Sequence, residues 1–303
     1  MDVVVSGARG LIGSALRNSL EADGHRVIPL VRPGSKEDGI HWDPASGSID
    51  NDSLEGTNAV IHLAGEGVAS HRWTDEHKRK VLDSRVEGTT LLATALASLQ
   101  RKPEVLISGS AVGYYGDRGS AELTEASGPG ADFLADVCVH WERATARAQD
   151  AGIRTVHIRT GIVLSTDGGA LHAQLPLFRL GLGGQAGSGA QYLSWITLDD
   201  EVDAIRFLVD HRDVSGPANL TAPSPCTNAE FTKALARALH RPAVVRIPRL
   251  VTRAPLGLGG LAESLLFSSA RALPTTLLDA GYRFEHTAID QALTAVLGEG
   301  SRG

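Results

Sequence analysis

Val3, Val4 and Val5 form a short apolar run that breaks into the glycine-spaced stretch SGARGLIG and resumes at helical spacing from Leu11 to Leu20. The pattern predicts a strand, a turn and a helix. Arg26–Val31 (RVIPLV) predicts a second buried strand, so residues 2–31 have the size of a βαβ unit. Asn58–Leu63 predicts a third strand. Thr74–Leu99 carries Val81, Val86, Leu91, Leu92, Ala95 and Leu96 at helical spacing, with Arg85 on a more polar flank, and predicts a long crossover helix. A strand over Val105–Ser108, a helix over about 131–150 and a strand over Thr155–Ile158 follow, with Arg159, Thr160 and Gly161 at the last strand's exit.

From Gly168 to Gly189 the chain is glycine-rich around a helix-like turn at Leu175–Leu180, which predicts a flexible lid or a pocket wall. Tyr192–Ile196 and Ala218–Leu220 predict strands; Asp199–Asp210 and Asn228–Leu239 predict helices, the second capped by Thr227 or Asn228. Helical runs occupy 248–297. Alternating strands and helices predict an α/β fold: a Rossmann-like doubly wound parallel sheet with a smaller, mainly helical C-terminal substrate region. The expected division is 1–165 plus 190–222 for the nucleotide-binding domain, 166–189 for the lid and 223–303 for the C-terminal region.

Composition narrows the function. At 303 residues, 42% hydrophobic and 21% charged, the chain is long enough for one large domain and a small lobe. A net charge of -6 argues against nucleic acid or anionic membrane as a partner and leaves a small molecule as the expected one. Oligomeric state is left open. Cys138 and Cys226 are the only cysteines, too few for a disulfide framework or a zinc cluster. No targeting segment and no membrane span are legible, so a cytoplasmic protein is expected.

The chemistry begins at Gly7, Gly10 and Gly13, whose spacing lets the backbone turn tightly, approach a pyrophosphate and pack a helix on its strand. Loop glycines also serve backbone geometry alone. Arg32 closes the second strand where a carboxylate would otherwise hold the adenine ribose, which points to NADP rather than NAD; Arg9 in the glycine loop can reinforce a grip on the 2′-phosphate. Ala64, Gly65 and Glu66 end the third strand at a sheet edge suited to a ligand. His71 and His77 lack the spacing for two imidazoles to share a metal on one helix, and no metal site is expected. Asp199 and Asp200 are expected as helix-start acids, and Trp141 as core.

These segments, with VIHLAGE, RWTDEHKRKVLDSRVEGTTLL, SAVGYYG, FLADVCVHWE, WITLDD and ALPTTLLDAGYRF, resemble the extended short-chain dehydrogenase/reductase superfamily. Within it they are similar to the atypical epimerase-like (NAD-dependent epimerase/dehydratase) branch that bears a C-terminal domain of unknown function. The resemblance implies NADP(H) at Gly7, Arg9, Gly10, Leu11, Ile12, Arg32, Leu63, Ala64, Arg85 and Asp132, with Gly13 completing the glycine triplet. The superfamily's Tyr-x-x-x-Lys pair is missing, because the corresponding helix reads DFLADVCVHWE. Ser110 stands where the superfamily places its substrate-polarising hydroxyl, and Tyr114 or Tyr115 offers a replacement acid. The expected function is an NADP-dependent oxidoreductase acting on a hydroxyl or carbonyl. A nucleotide-sugar epimerase and a catalytically impaired NADP(H)-binding sensor are the alternatives.

Overall fold

Val3, Val4 and Val5 are wholly enclosed, as expected for a strand covered on both faces. In the computed structural model, which describes residues 1–248 and 267–299, β1 (Asp2–Ser6) leads through α1 (Leu11–Ala22) into β2 (Arg26–Val31). A hairpin of β3 (Ile40–Asp43) and β4 (Ser48–Ile49) follows, then β5 (Ala59–His62), α2 (Asp75–Ser98) and β6 (Val105–Ala111). Beyond β7 (Glu122–Leu123) come α3 (Phe133–Arg143), α4 (Ala146–Asp150), β8 (Arg154–Thr160) and β9 (Ile162–Leu164). Next are α5 (Gly169–Arg179), β10 (Gly184–Ala186), β11 (Tyr192–Leu193), β12 (Trp195–Thr197), α6 (Leu198–Asp210) and β13 (Gly216–Leu220).

One eight-stranded sheet runs β13-β8-β6-β5-β1-β2-β3-β4. Every neighbouring pair in it is parallel except β3 with β4. On one face α1 and α6 bury Leu16, Leu20, Ile205 and Leu208; on the other α2 and α4 bury Leu92, Leu96 and Ala148 around Trp42. The sheet is thus doubly wound and Rossmann-like. Its order reverses between β1 and β5, where such sheets open a crevice at the carboxyl ends of the strands.

Several expectations are corrected. The β3–β4 hairpin escaped the pattern analysis because its strands are four and two residues long, too short for a period to register. The helix expected over 131–150 breaks after Arg143. There the buried Thr145 hydroxyl donates to the Glu142 carbonyl and meets His157 Nε2, drawing the backbone off the helical ladder. The glycine-rich 166–189 segment contains a packed helix, in which α5 buries Leu171, Leu175 and Phe178. Its glycines answer to close approach, since a Cβ on Gly184 would stand 1.8 Å from the Val245 carbonyl oxygen.

In the remainder, β14 (Cys226–Thr227), α7 (Asn228–Ala238), β15 (Val245–Ile247), β16 (Arg271–Ala272), α8 (Thr275–Asp279) and α9 (Ile289–Glu299) are described; helical runs expected within 249–266 lie outside the described residues. Helices α5, α7 and α9 share a separate core with Trp195 and Phe231. Short pairings of β14 with β11, β15 with β10 and β16 with β7 fasten this region to the first half. Asp199 and Asp200 do start a helix, α6. Asp200 does more than cap: buried, it accepts the Glu285 and His286 backbone N–H groups at 2.8 and 3.0 Å and so anchors the C-terminal chain. Among the described residues no helix is long and apolar enough to cross a membrane.

Candidate active site

The crevice is built from glycine geometry. Gly7 has φ +70°, and a Cβ there would lie 3.0 Å from the Ala64 nitrogen and the Leu63 carbonyl carbon. A Cβ on Gly13 would fall 2.1 Å from the Gly7 carbonyl oxygen, so α1 packs on the turn only with glycine at this position. Gly10 caps α1 with no side-chain acceptor, leaving the first amides of the helix that begins Leu11–Ile12 free for an anion. Below the turn, Ser6 Oγ accepts the N–H groups of Leu63 and Ala64 at 3.0 and 3.1 Å and lies 2.6 Å from His62 Nδ1. His62 Nε2 lies 3.0 Å from the Thr89 hydroxyl. Burial, with Arg85 nearby, pushes the His62 pKa down to about 4, so the ring is neutral.

Toward β2 the crevice widens into a cleft of about 350 Å³, lined among others by Gly7, Arg9, Arg32, Ser35, Trp42 and Ala64. The Arg32 guanidinium sits 5.5 Å from the Trp42 ring centroid, a cation–π contact that aims it without neutralising it. Among the described residues Arg32 has no ion pair. Arg9, 71% exposed, is held by Glu37 at 2.9 Å, and Arg17 reaches the same carboxylate at 2.5 Å. Burial raises the Glu37 pKa, but hydrogen bonds from Arg17 and Arg9 outweigh it and hold the carboxyl below its ordinary value. Sequence reasoning missed Glu37, one of two adjacent acids in a polar loop. The glycine cradle, free helix amides and two arginines at the β2 end fit a nicotinamide dinucleotide bearing a 2′-phosphate.

At the other end of the crevice Arg85 lies 4.8 Å over the Trp141 ring and donates to the carbonyls of Glu66 and Val81 at 2.9 and 3.0 Å. Burial lowers its pKa. Trp141 packs on β6, where a Cβ on Gly109 would meet it at 2.7 Å. Cys138, near the place of the missing lysine, is buried, and burial pushes its thiol up to about 12, so it offers no charge.

Ser110, at the end of β6, donates to Glu142 Oε1 at 2.7 Å. Arg159, at the end of β8, forks onto both oxygens of the same carboxylate at 2.8 and 2.9 Å. The Arg159 guanidinium also lies 3.5 Å from the Tyr114 ring centroid. Tyr115 is corrected as a proton donor. It is fully enclosed, its hydroxyl donates to Asn219 Oδ1 at 2.7 Å and accepts from Arg159 at 3.0 Å, and burial pushes its pKa up. Tyr114, half-buried, is the free member of the pair, and its hydroxyl has no partner among the described residues. Asp132 caps α3 by accepting from the Ala135 N–H at 2.9 Å. It lines a cavity of about 120 Å³ with Gly113, Leu134, Ile162, Tyr192 and Ser194. Glu142, Arg159 and Asn219 were missed as site residues because α3, β8 and β13 meet only in the folded sheet.

Residues 3–220 match the NAD dependent epimerase/dehydratase family. The chain belongs to that family. Residues 247–296 match a domain of unknown function, DUF1731. The epimerase family protein Mb2239 of Mycobacterium bovis is 44% identical, with 96% of each chain covered. A crystal structure of the human epimerase family protein SDR39U1 with NADPH is 34% identical and superposes at TM-score 0.89 over 98% of this chain and 99% of that one. A nucleoside-diphosphate sugar epimerase of Corynebacterium glutamicum, 38% identical, superposes at TM-score 0.81 over 99% of this chain and 58% of that one.

Proposed function

We propose that this family member is an NADP(H)-dependent oxidoreductase of hydroxyl or carbonyl groups, in which Ser110 and Glu142 take over work usually given to the tyrosine–lysine pair. NADPH in the human relative supports the cofactor reading. The turn at Gly7, Gly10 and Gly13 with the N-terminus of α1 holds the pyrophosphate, Arg32 and Arg9 hold the 2′-phosphate, and Arg85 supplies a cation on the nicotinamide side. When bound, the nicotinamide supplies or takes up the hydride.

The observation that carries the reading is the 2.7 Å bond from Ser110 to Glu142. The serine hydroxyl donates to Glu142, whose two oxygens Arg159 holds in place, so the Oγ lone pairs are left to accept a substrate hydroxyl. Tyr114 is the remaining hydroxyl acid on the loop. The test measures NADPH oxidation and NADP reduction with a panel of carbonyls, alcohols and nucleoside-diphosphate sugars. With a substrate in hand, Ser110→Ala and Tyr114→Phe should each lower kcat by about 10²–10⁴-fold while NADPH affinity holds. Undiminished turnover in both variants refutes the assignment. A second reading, an NADP(H)-binding sensor, is favoured by the enclosure of Tyr115; tight NADPH binding without turnover on any substrate would establish it.

A further inference from the structure

The loop between β5 and α2 folds so that Glu66, His71 and His77 converge, with one donor atom from each lying within 4.8 Å of the others. Two histidines six positions apart do not face one another on a single helix. His71 instead precedes α2, and the loop brings its ring centroid to 5.3 Å from that of His77.

His77 sits in the first turn of α2, only 4% exposed, with Nε2 3.1 Å from the Val68 carbonyl oxygen. A carbonyl only accepts, so Nε2 carries the proton and Nδ1 keeps its lone pair, which meets no donor among the described residues. Handing the second ring N–H to a backbone carbonyl is how ligating histidines are commonly oriented. Glu66 is fixed at both ends of its residue: its N–H donates to Ser84 Oγ at 3.0 Å and its carbonyl accepts from Arg85 at 2.9 Å. Its Oε1 lies 3.5 Å from His71 Nδ1, and the Ser70 hydroxyl is 2.9 Å from each. A cavity of about 320 Å³, lined by His71, Arg72, Thr74, Glu76, His77 and Lys80, opens alongside. Of its cations, Lys80 is paired with Glu76 at 2.8 Å.

We infer that Glu66, His71 and His77 form a transition-metal site of the Zn²⁺ class that staples the β5–α2 loop to the start of α2. Two imidazoles and one carboxylate suit Zn²⁺ or Co²⁺ rather than Ca²⁺ or Mg²⁺, which take oxygen ligands. A fourth position is open to water from the cavity. Through the Glu66 carbonyl the metal would also steady Arg85 beside the cofactor crevice.

Calorimetric titration of the full chain with Zn²⁺ at neutral pH should show one site per chain, Co²⁺ should give the visible bands of a four-coordinate ion, and Zn²⁺ should raise Tm. His71 is exposed, so His71→Ala keeps the fold, which circular dichroism verifies. That variant should bind at least about tenfold more weakly and lose the Tm response, and Glu66→Gln should do the same. No stoichiometric binding to the unmutated protein, or equal binding in both variants, overturns the site.

Discussion

Glu201 is an acid that the fold keeps from ionising, and replacing it should make the protein more stable in a pH-dependent way. It lies in the first turn of α6 with no exposed surface; the Thr160 hydroxyl donates to Oε1 at 2.8 Å, and Oε2 has no partner among the described residues. Burial pushes its pKa from 4.5 up to about 8, against a smaller opposing effect of the Thr160 bond. The folded protein therefore holds this proton up to about pH 8, while the unfolded chain releases it near 4.5. Between those values the unfolded state binds fewer protons, so stability falls as pH rises through the window. At about 1.4 kcal/mol per pH unit, ionisation of the unfolded chain costs the native state about 3 kcal/mol at pH 7 and under about 1 kcal/mol at pH 5. Glu201→Gln keeps the acceptor for Thr160 and removes the titration. Urea unfolding of both proteins at the two pH values isolates this group, because every other titrating residue cancels in the difference. The glutamine variant should be the more stable by about 3 kcal/mol at pH 7 and nearly equal at pH 5. A difference that does not change with pH, or an unmutated protein that is the more stable at pH 7, would refute the reasoning.

Removing the unpaired guanidinium in Arg32→Ala should weaken NADPH binding by about ten- to a hundredfold and leave NADH nearly unmoved, as read by fluorescence titration; equal titration curves for NADPH and NADH in the unmutated protein would sink the 2′-phosphate assignment. Glu37→Gln removes the acid that competes for Arg9, so NADPH should bind several-fold more tightly in the same assay. Tyr115→Phe strands Asn219 Oδ1 and an Arg159 N–H inside the protein, and chemical denaturation should show a loss of about 1–3 kcal/mol with NADPH affinity intact. Gly13→Ala drives a methyl group into the Gly7 carbonyl, and dinucleotide binding should be lost before the sheet unfolds, with circular dichroism as the control.

What was legible in the sequence was what is local. The β1 strand, the glycine turn, α1 and β2 are contiguous, and each imposes its own period or turn chemistry, so cleft and cofactor class followed from some thirty residues. The proposed catalytic cluster is not contiguous. Ser110 was legible through the superfamily resemblance, but its partner Glu142 looks like any solvated acid on a helix until the end of β8 brings Arg159 against it. Tyr114 and Tyr115 are neighbours with the same chemistry, and which of them is enclosed depends on Asn219 from β13, more than a hundred positions away. Glu201 was hidden in the run LDDE, where three consecutive acids at a helix start invite a single capping explanation. Only tertiary contact separates Asp199, Asp200 and Glu201 into an exposed starter, an anchor for the C-terminal chain and a protonated core residue.

The neutral His62 beneath the glycine turn makes the floor of the crevice silent to protons. With its pKa at about 4, the ring carries no charge across the neutral range, and Ser6 relays only dipoles to the Leu63 and Ala64 amides beneath the glycine turn. On the proposed NADP(H) reading, a change in dinucleotide affinity between pH 5 and 8 would originate at the rim, where a 2′-phosphate gains its second charge at about pH 6 in front of Arg32. The crevice is in this sense a meter of the ligand's ionisation, with a reference electrode built from a serine and a histidine that do not titrate.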